Sequence, residues 1–216
     1  MFALQSWKPK NKQDKAESGV FNAIIDMFNE SVSVETLFEY IPRKRLKNSK
    51  ILASGSFSTI YTAEWLDGEI ENVDFVKNSI KRKGPQHVAL KTLPIDEKKT
   101  NELFRSYYAN LCGFDAKIFG VSSFFESSFT CFMVMKLYEV DARSLIARDY
   151  WSLLWVSRFS FIFQISKELT IMHDKGFIHG DLHSGNILCD ELGPTIADLG
   201  FSYSLLTNDK IKGPIY

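Results

Sequence analysis

The residue types best suited to chemistry lie in one short run, His179-Gly180-Asp181-Leu182-His183-Ser184-Gly185-Asn186-Ile187-Leu188. Asp181 is followed five residues later by Asn186, and twelve residues further on comes Asp198-Leu199-Gly200. Two carboxylates and a carboxamide thus sit on short loops between apolar runs. A loop carboxylate can act as a base toward a hydroxyl. Carboxylate and amide oxygens are also the ligands that a hard cation such as magnesium takes. One Asp-x-x-x-x-Asn spacing is as readily a polar turn. The weight comes from two such loops in order, with a third segment upstream.

Several elements must position these loops. Phe159, Ile162, Phe163, Leu169 and Met172 keep helical spacing, which predicts one amphipathic helix from Trp155 to Lys175, stopped by Gly176. Phe177-Ile178-His179 then reads as a strand-like entry to the Asp181 loop. Ile187-Leu188-Cys189 and Thr195-Ile196-Ala197 flank Gly193-Pro194 as a small hairpin. Upstream, Leu46 to Trp65 predicts two strands around the turn Ala53-Ser54-Gly55-Ser56-Phe57-Ser58. Val88-Ala89-Leu90-Lys91 is a strand ending in a cation. Asp96 caps a helix to about Leu111, and strands follow at 117–121 and 129–137. Ser144-Leu145-Ile146 opens a short helix. Between the turn signals Asp67-Gly68 and Lys83-Gly84-Pro85, residues 69–82 read as a partly solvated excursion. At the front, 1–17 reads as a mobile polar tail, and a helical stripe begins at Gly19. A second short helix is expected after Ser33, carrying Leu37, Phe38 and Ile41 and ending at Pro42.

Composition bounds the function classes. The 216 residues carry zero formal net charge, so neither nucleic acid nor an anionic membrane is expected as a partner. Arg43-Lys44-Arg45-Leu46-Lys47 is either a solvated face or a nuclear address. Cys112, Cys131 and Cys189 are scattered, with no metal-binding or disulfide pattern, which points to a reducing cytoplasm. No signal core or long uncharged apolar run is present.

The order of these segments resembles that of a eukaryotic protein kinase from about Ile41 to Asp209. The wording Tyr40-Ile41-Pro42, Thr59-Ile60-Tyr61 and Asp181-Leu182-His183-Ser184-Gly185-Asn186 is similar to a fungal tyrosine-kinase-like group. The resemblance implies an α+β, two-lobe fold. Residues 1–45 would be the polar tail and short helices, and 46–138 a complete N-lobe of antiparallel sheet plus one helix. A partial helical C-lobe would follow at 139–216. It implies ATP and Mg2+ as cofactors and a protein Ser/Thr or Tyr hydroxyl as acceptor. Asp181 would accept the hydroxyl proton, and Asn186 and Asp198 would hold magnesium. Lys91 would grip the phosphates, paired with a helix glutamate, either Glu102 or, nearer the helix start, Glu97. Leu52, Gly55, Ile60, Ala89, Met135, Leu137 and Leu188 would surround the nucleotide, the backbone of Leu137 or a neighbour bonding the adenine edge at the hinge.

Four departures from the family pattern are visible. Ala53 and Ser58 stand in place of two loop glycines, and Gly180 replaces an Arg that in the family clamps a phosphate on the activation loop. His183 occupies the place of a Lys that touches the γ-phosphate. The expected consequence of Gly180 is independence from phosphorylation at Ser202, Tyr203, Ser204 or Thr207. Finally, the sequence ends at Tyr216 before any Ala-Pro-Glu motif. The expectation is therefore a truncated chain whose long helix needs a partner to cover it. The alternative to an active kinase is an inactive, kinase-like nucleotide-binding or regulatory module.

Overall fold

The computed structural model describes residues 39–55, 58–74, 79–94, 102–103, 105–107, 109, 112–113, 116–123, 130–149, 152 and 154–204. The expected tail, the stripe from Gly19, the 33–38 part of the second helix and the Glu97 candidate lie outside them. The chain divides into two compact units, Met1–Thr100 with Ile118–Leu137, and Asn101–Lys117 with Tyr138–Tyr216.

The first unit is built on strands β1 (Glu39–Tyr40), β2 (Leu46–Ser54), β3 (Thr59–Trp65), β4 (Ile70–Asp74), β5 (Ser79–Arg82), β6 (Gln86–Pro94), β7 (Ile118–Ser123) and β8 (Thr130–Lys136). Six of them form one sheet in the order β1-β7-β8-β6-β3-β2, antiparallel except for the short parallel edge β1. Successive strand residues point to opposite faces, so register sorts the side chains. Tyr61 lies opposite Leu90, and Leu90 opposite Val134. These join Ile41, Leu46, Ala63, Trp65, Val88, Phe119 and Phe132 in one apolar cluster. Within it, Tyr61 meets Phe132 edge-on at 5.6 Å between ring centres, and Trp65 lies 5.5 Å from Phe119. Burying each such side chain contributes about 1.5–3 kcal/mol. The packing of this face fixes what the other face presents.

The partly solvated excursion at 69–82 carries β4 and β5, which pair antiparallel with each other and, among the described residues, with no strand of the six-stranded sheet. Lys81–Glu71 bridges the two strands at 2.7 Å, and Lys83–Glu69, also at 2.7 Å, lies just outside their ends. One expectation for this unit is corrected. Glu39–Tyr40 is a strand rather than the end of a helix. Its neighbour Ile41 donates its N–H to the Val121 carbonyl at 2.8 Å and buries its side chain. The Glu39 carboxylate pairs with Arg82 at 2.5 Å. Arg82 also donates to the Gly68 carbonyl at 2.9 Å and lies 5.8 Å over the Trp65 ring. Extended backbone thus satisfies groups that a final helical turn before Pro42 would leave open. Burial pushes the Glu39 carboxyl above its ordinary value, against the opposing pull of Arg82.

In the second unit Glu102, Leu103, Arg105–Tyr107, Ala109 and Cys112 are helical. There follow β9 (Val140–Asp141), α1 (Ala142–Asp149), α2 (Trp155–Asp174), β10 (Phe177–Ile178), β11 (Ile187–Asp190), β12 (Gly193–Ile196) and β13 (Tyr203–Ser204). The hairpin β11–β12 turns at Glu191–Leu192, not at Gly193-Pro194. Asp190 makes that turn by accepting the Leu192 N–H at 2.8 Å, so Gly193-Pro194 opens the returning strand. Met172 and Phe177 pack with Leu199 and Ala109, flanked by Leu169, Ile171 and Cys112. Glu168 on α2 accepts the Ile196 N–H at 2.7 Å and the Thr195 hydroxyl at 3.2 Å. Burial raises its carboxyl above the ordinary range despite those donors. The predicted α2 stripe divides: Leu169 and Met172 are covered, whereas Phe159, Ile162 and Phe163 are 61–72% exposed, beside exposed Trp155 and Val156. A sheet-rich unit and a unit of helices with short β ladders make this an α+β chain.

Candidate active site

The face of the first sheet opposite the apolar cluster gathers most of the nucleotide candidates. Ile60 lies opposite Lys91, and Lys91 opposite Met133. Two residues along, Thr62 lies opposite Ala89, and Ala89 opposite Met135. Ile60, Ala89, Lys91 and Met135 therefore share one face by strand alternation. Lys91 is only 5% exposed, and a lysine so deeply placed has a partner for its charge. Leu52 falls at a register irregularity between Ile51 and Ala53 and is exposed. Gly55 donates its N–H to the Ser58 carbonyl at 3.0 Å, closing the loop between β2 and β3. Leu137 directly follows β8 and is half-buried.

In the second unit the Asp181 loop is stitched together by short-range bonds. The Asn186 side-chain amide donates to the Asp181 backbone carbonyl at 2.9 Å and reaches its carboxylate Oδ2 at 3.4 Å. His183 caps the 3-10 turn Ser184–Asn186, its Nδ1 accepting the Gly185 N–H at 3.0 Å. His179 is buried, with Nε2 3.0 Å from the Ala197 carbonyl and Nδ1 accepting the Asp181 N–H at 3.3 Å. That pairing requires the proton on Nε2. Burial lowers the imidazole pKa, outweighing the raising influence of the Ala197 bond, Asp198 and Asp181, so the ring is neutral. One histidine thus ties the Asp181 loop to the residue preceding Asp198.

The hairpin completes the arrangement. Ile187 pairs with Ile196, and the Ala197 N–H donates to the Asn186 carbonyl at 2.9 Å. Asn186 and Asp198 consequently emerge at the same end of β11–β12. Leu188 lies on β11 opposite Thr195 and Asp141. Asp198 has φ +67°, a left-handed conformation for a non-glycine residue, and its Oδ1 accepts the Gly200 N–H at 3.2 Å. Such strain persists where the surroundings over-determine it, and it clusters at functional sites. Glu102 is fully buried against this loop: its Oε2 lies 3.3 Å from the point a Gly200 Cβ would occupy. Asn186 and Asp198 thus leave one end of the hairpin, with Asp181 bonded to Asn186 and Glu102 beside Gly200. Carboxylate and amide oxygens such as those of Asp198 and Asn186 are the kind a magnesium ion takes.

Two expectations about the following segment change. Gly180 is not an open slot for an arginine. Its φ is +78°, and a Cβ there would lie 2.4 Å from the Phe201 carbonyl oxygen. The glycine lets that carbonyl close directly over the backbone, a role the sequence did not reveal. Ser202 is completely buried and donates its hydroxyl to the Leu199 carbonyl at 2.8 Å, so it is no accessible phosphorylation site. Tyr203 pairs with Ile178 between β10 and β13, and Thr207 lies outside the described residues. Sequence reasoning also missed His179 and Glu168, whose bonding depends on partners 18 and 28 residues away.

A sheet carrying a buried lysine, together with an Asp-x-x-x-x-Asn loop joined to an Asp-Leu-Gly loop, is the equipment of phosphoryl transfer from a nucleotide. Residues 46–213 match the family described as protein tyrosine and serine/threonine kinase, and the chain belongs to that family. The sporulation protein kinase mde3 of Schizosaccharomyces pombe (strain 972 / ATCC 24843) is 28% identical over 185 residues, covering 83% of this chain. The match takes in 31% of mde3, so the chain spans about a third of the length of that curated relative. The family uses ATP, usually with Mg2+, and acts on proteins. Among the described residues, no helix is long and apolar enough to cross a membrane.

Proposed function

We propose that this chain supplies the nucleotide-handling and catalytic loops of an ATP-dependent protein kinase. Lys91 holds the phosphates on the face it shares with Ile60, Ala89 and Met135. Leu52, Gly55, Leu137 and Leu188 complete the nucleotide contacts, and Glu102 is the buried acid that the family uses with that lysine. Asp181 receives the proton of a Ser/Thr or Tyr hydroxyl. Asn186 and Asp198 would hold Mg2+, which would supply positive charge against the transferring phosphoryl group. Catalysis in this class is largely positioning and electrostatic stabilisation, and the rigid stitching of the loops suits it. The observation that carries the reading is the hairpin that brings Asn186 and Asp198 to one end while the Asn186 amide bonds Asp181.

The functional division is read as 46–138 for nucleotide and 139–216 for catalysis. A fungal tyrosine-kinase-like origin is in keeping with the Asp181–Asn186 wording and with a fission-yeast relative. Three free cysteines suit a reducing cytoplasm. The test is thermal unfolding with and without Mg·ATP, in the parent and in Lys91→Met. Saturable stabilisation in the parent, abolished by EDTA and much reduced in Lys91→Met, is expected. Equal stabilisation in both proteins would remove Lys91 from the site. Binding without transfer would favour a nucleotide-binding regulatory module.

A further inference from the structure

The catalytic loop has a cationic neighbour that the nucleotide chemistry does not use. Arg143 is exposed on the first turn of α1. Its Nη2 lies 3.4 Å from the point a Gly185 Cβ would occupy, and His183 Cε1 and Nδ1 lie 3.0 and 3.1 Å from the same point. The guanidinium and the imidazole therefore converge over Gly185, which has no side chain to keep them apart. His183 Nε2 in turn lies 3.8 Å from Asp181 Oδ2. Because Nδ1 accepts the Gly185 N–H, the neutral ring carries its proton on Nε2 and offers a donor beside the catalytic carboxylate.

Nothing local accounts for the arginine. The acid nearest in sequence, Asp141, is committed to capping α1, accepting the Ser144 N–H at 3.0 Å and hydroxyl at 2.8 Å. Among the described residues the Arg143 guanidinium makes no ion pair. A cation in the first turn of a helix opposes the helix dipole, so helix stability gives no reason for it. Arginine is instead well suited to a carboxylate or phosphate presented in a plane.

We propose that Arg143 and His183 form an anion-reading subsite beside Asp181, which selects acceptor peptides carrying a carboxylate or phosphate close to the reacting hydroxyl. The proposal rests on the kinase reading above and deepens it to a substrate class: acidic or already phosphorylated segments. A basic flanking residue would face the exposed Arg143 guanidinium there.

The test is binding, independent of turnover. The 15N-labelled full chain is titrated with three peptides that differ only beside the acceptor serine, in glutamate, phosphoserine or lysine. Chemical shifts of the Gly185 amide and the Arg143 Nε–H are followed. Saturable shifts with the glutamate and phosphoserine peptides, at least tenfold tighter than with the lysine peptide, are expected. Arg143→Glu should reverse that order, and as an exposed residue it should leave the unfolding temperature unchanged. Equal response to all three peptides, or an unchanged order in Arg143→Glu, would overturn the subsite. Loss of Mg·ATP stabilisation in Arg143→Glu would also overturn it, by assigning the arginine to the nucleotide. Mg·ATP stabilisation of the parent is measured on the same sample. Its absence alongside a charge-ordered peptide response would count against the kinase reading and not against the subsite.

Discussion

Replacing Gly180 by alanine tests how the Asp181 and Asp198 loops are joined. The added methyl carries two separable penalties. The first is conformational: holding an L-residue at φ +78° costs roughly 1–3 kcal/mol. The second is the contact, since the new Cβ would sit 2.4 Å from the Phe201 carbonyl oxygen, under the distance at which something must shift. Gly113 isolates the first penalty. It lies in the same unit with φ +77°, and a Cβ there would have nothing within 4 Å. Gly113→Ala should therefore show strain alone, worth a few degrees of unfolding temperature at ~2–4 °C per kcal/mol for a chain of this size. Gly180→Ala should lose more, and it should also weaken Mg·ATP stabilisation, because moving Phe201 moves the turn that carries Asp198. Gly180→Arg should behave like the alanine variant or worse, rather than installing a phosphate clamp. Thermal unfolding with and without Mg·ATP reads both effects. If Gly180→Ala loses no more stability than Gly113→Ala and binds Mg·ATP like the parent, the close approach has no functional weight.

Three further outcomes are expected. Asp198→Asn should abolish the magnesium dependence of ATP binding while keeping the turn, because asparagine tolerates the left-handed conformation and still offers an oxygen to the Gly200 N–H; titration with Mg2+ by calorimetry checks this. The depressed pKa of His179 means that below its ordinary value of 6.5 the unfolded chain takes up a proton before the folded one. Its contribution to stability, complete above that pH, is therefore lost as pH falls toward the folded value. The stability difference between the parent and His179→Phe, from urea unfolding at pH 7.5 and 5.5, should shrink at the lower pH; an unchanged difference would show that the ring titrates as in the unfolded chain. The exposed apolar side of α2 should bind an environment-sensitive dye, and Phe159→Lys with Phe163→Lys should remove most of that signal; a parent without dye binding would contradict the exposure.

The elements that position the site were legible where the pattern was local. Runs of β-branched, aromatic and other apolar residues mark β3, β6 and β8, and helical spacing marks α2 with its stop at Gly176. The order Lys91, Glu102, Asp181, Asn186, Asp198 by itself indicates the family. What stayed hidden depends on partners distant in sequence. Nothing beside Glu39 announces that it meets Arg82, so its strand reads as a helix end. Gly180 read as a missing arginine because its positive φ and the Phe201 carbonyl above it belong to the folded chain. The covered and exposed sides of α2 could not be told apart, since both carry apolar residues and only the hairpin bonded through Glu168 shows which side is occupied. Ser202 reads as an ordinary polar residue, and only its bond to the Leu199 carbonyl removes it from the accessible hydroxyls.

The most direct test is transfer of label from γ-32P ATP with Mg2+ to an acidic protein substrate, comparing the parent with Asp181→Asn. The exchange removes the base and keeps a side chain of the same shape at the loop. Incorporation by the parent, reduced by about 10²-fold or more in the variant as expected for loss of a positioned base, is the outcome the account requires. Equal incorporation by parent and variant, or none by a parent that demonstrably binds Mg·ATP, would contradict it.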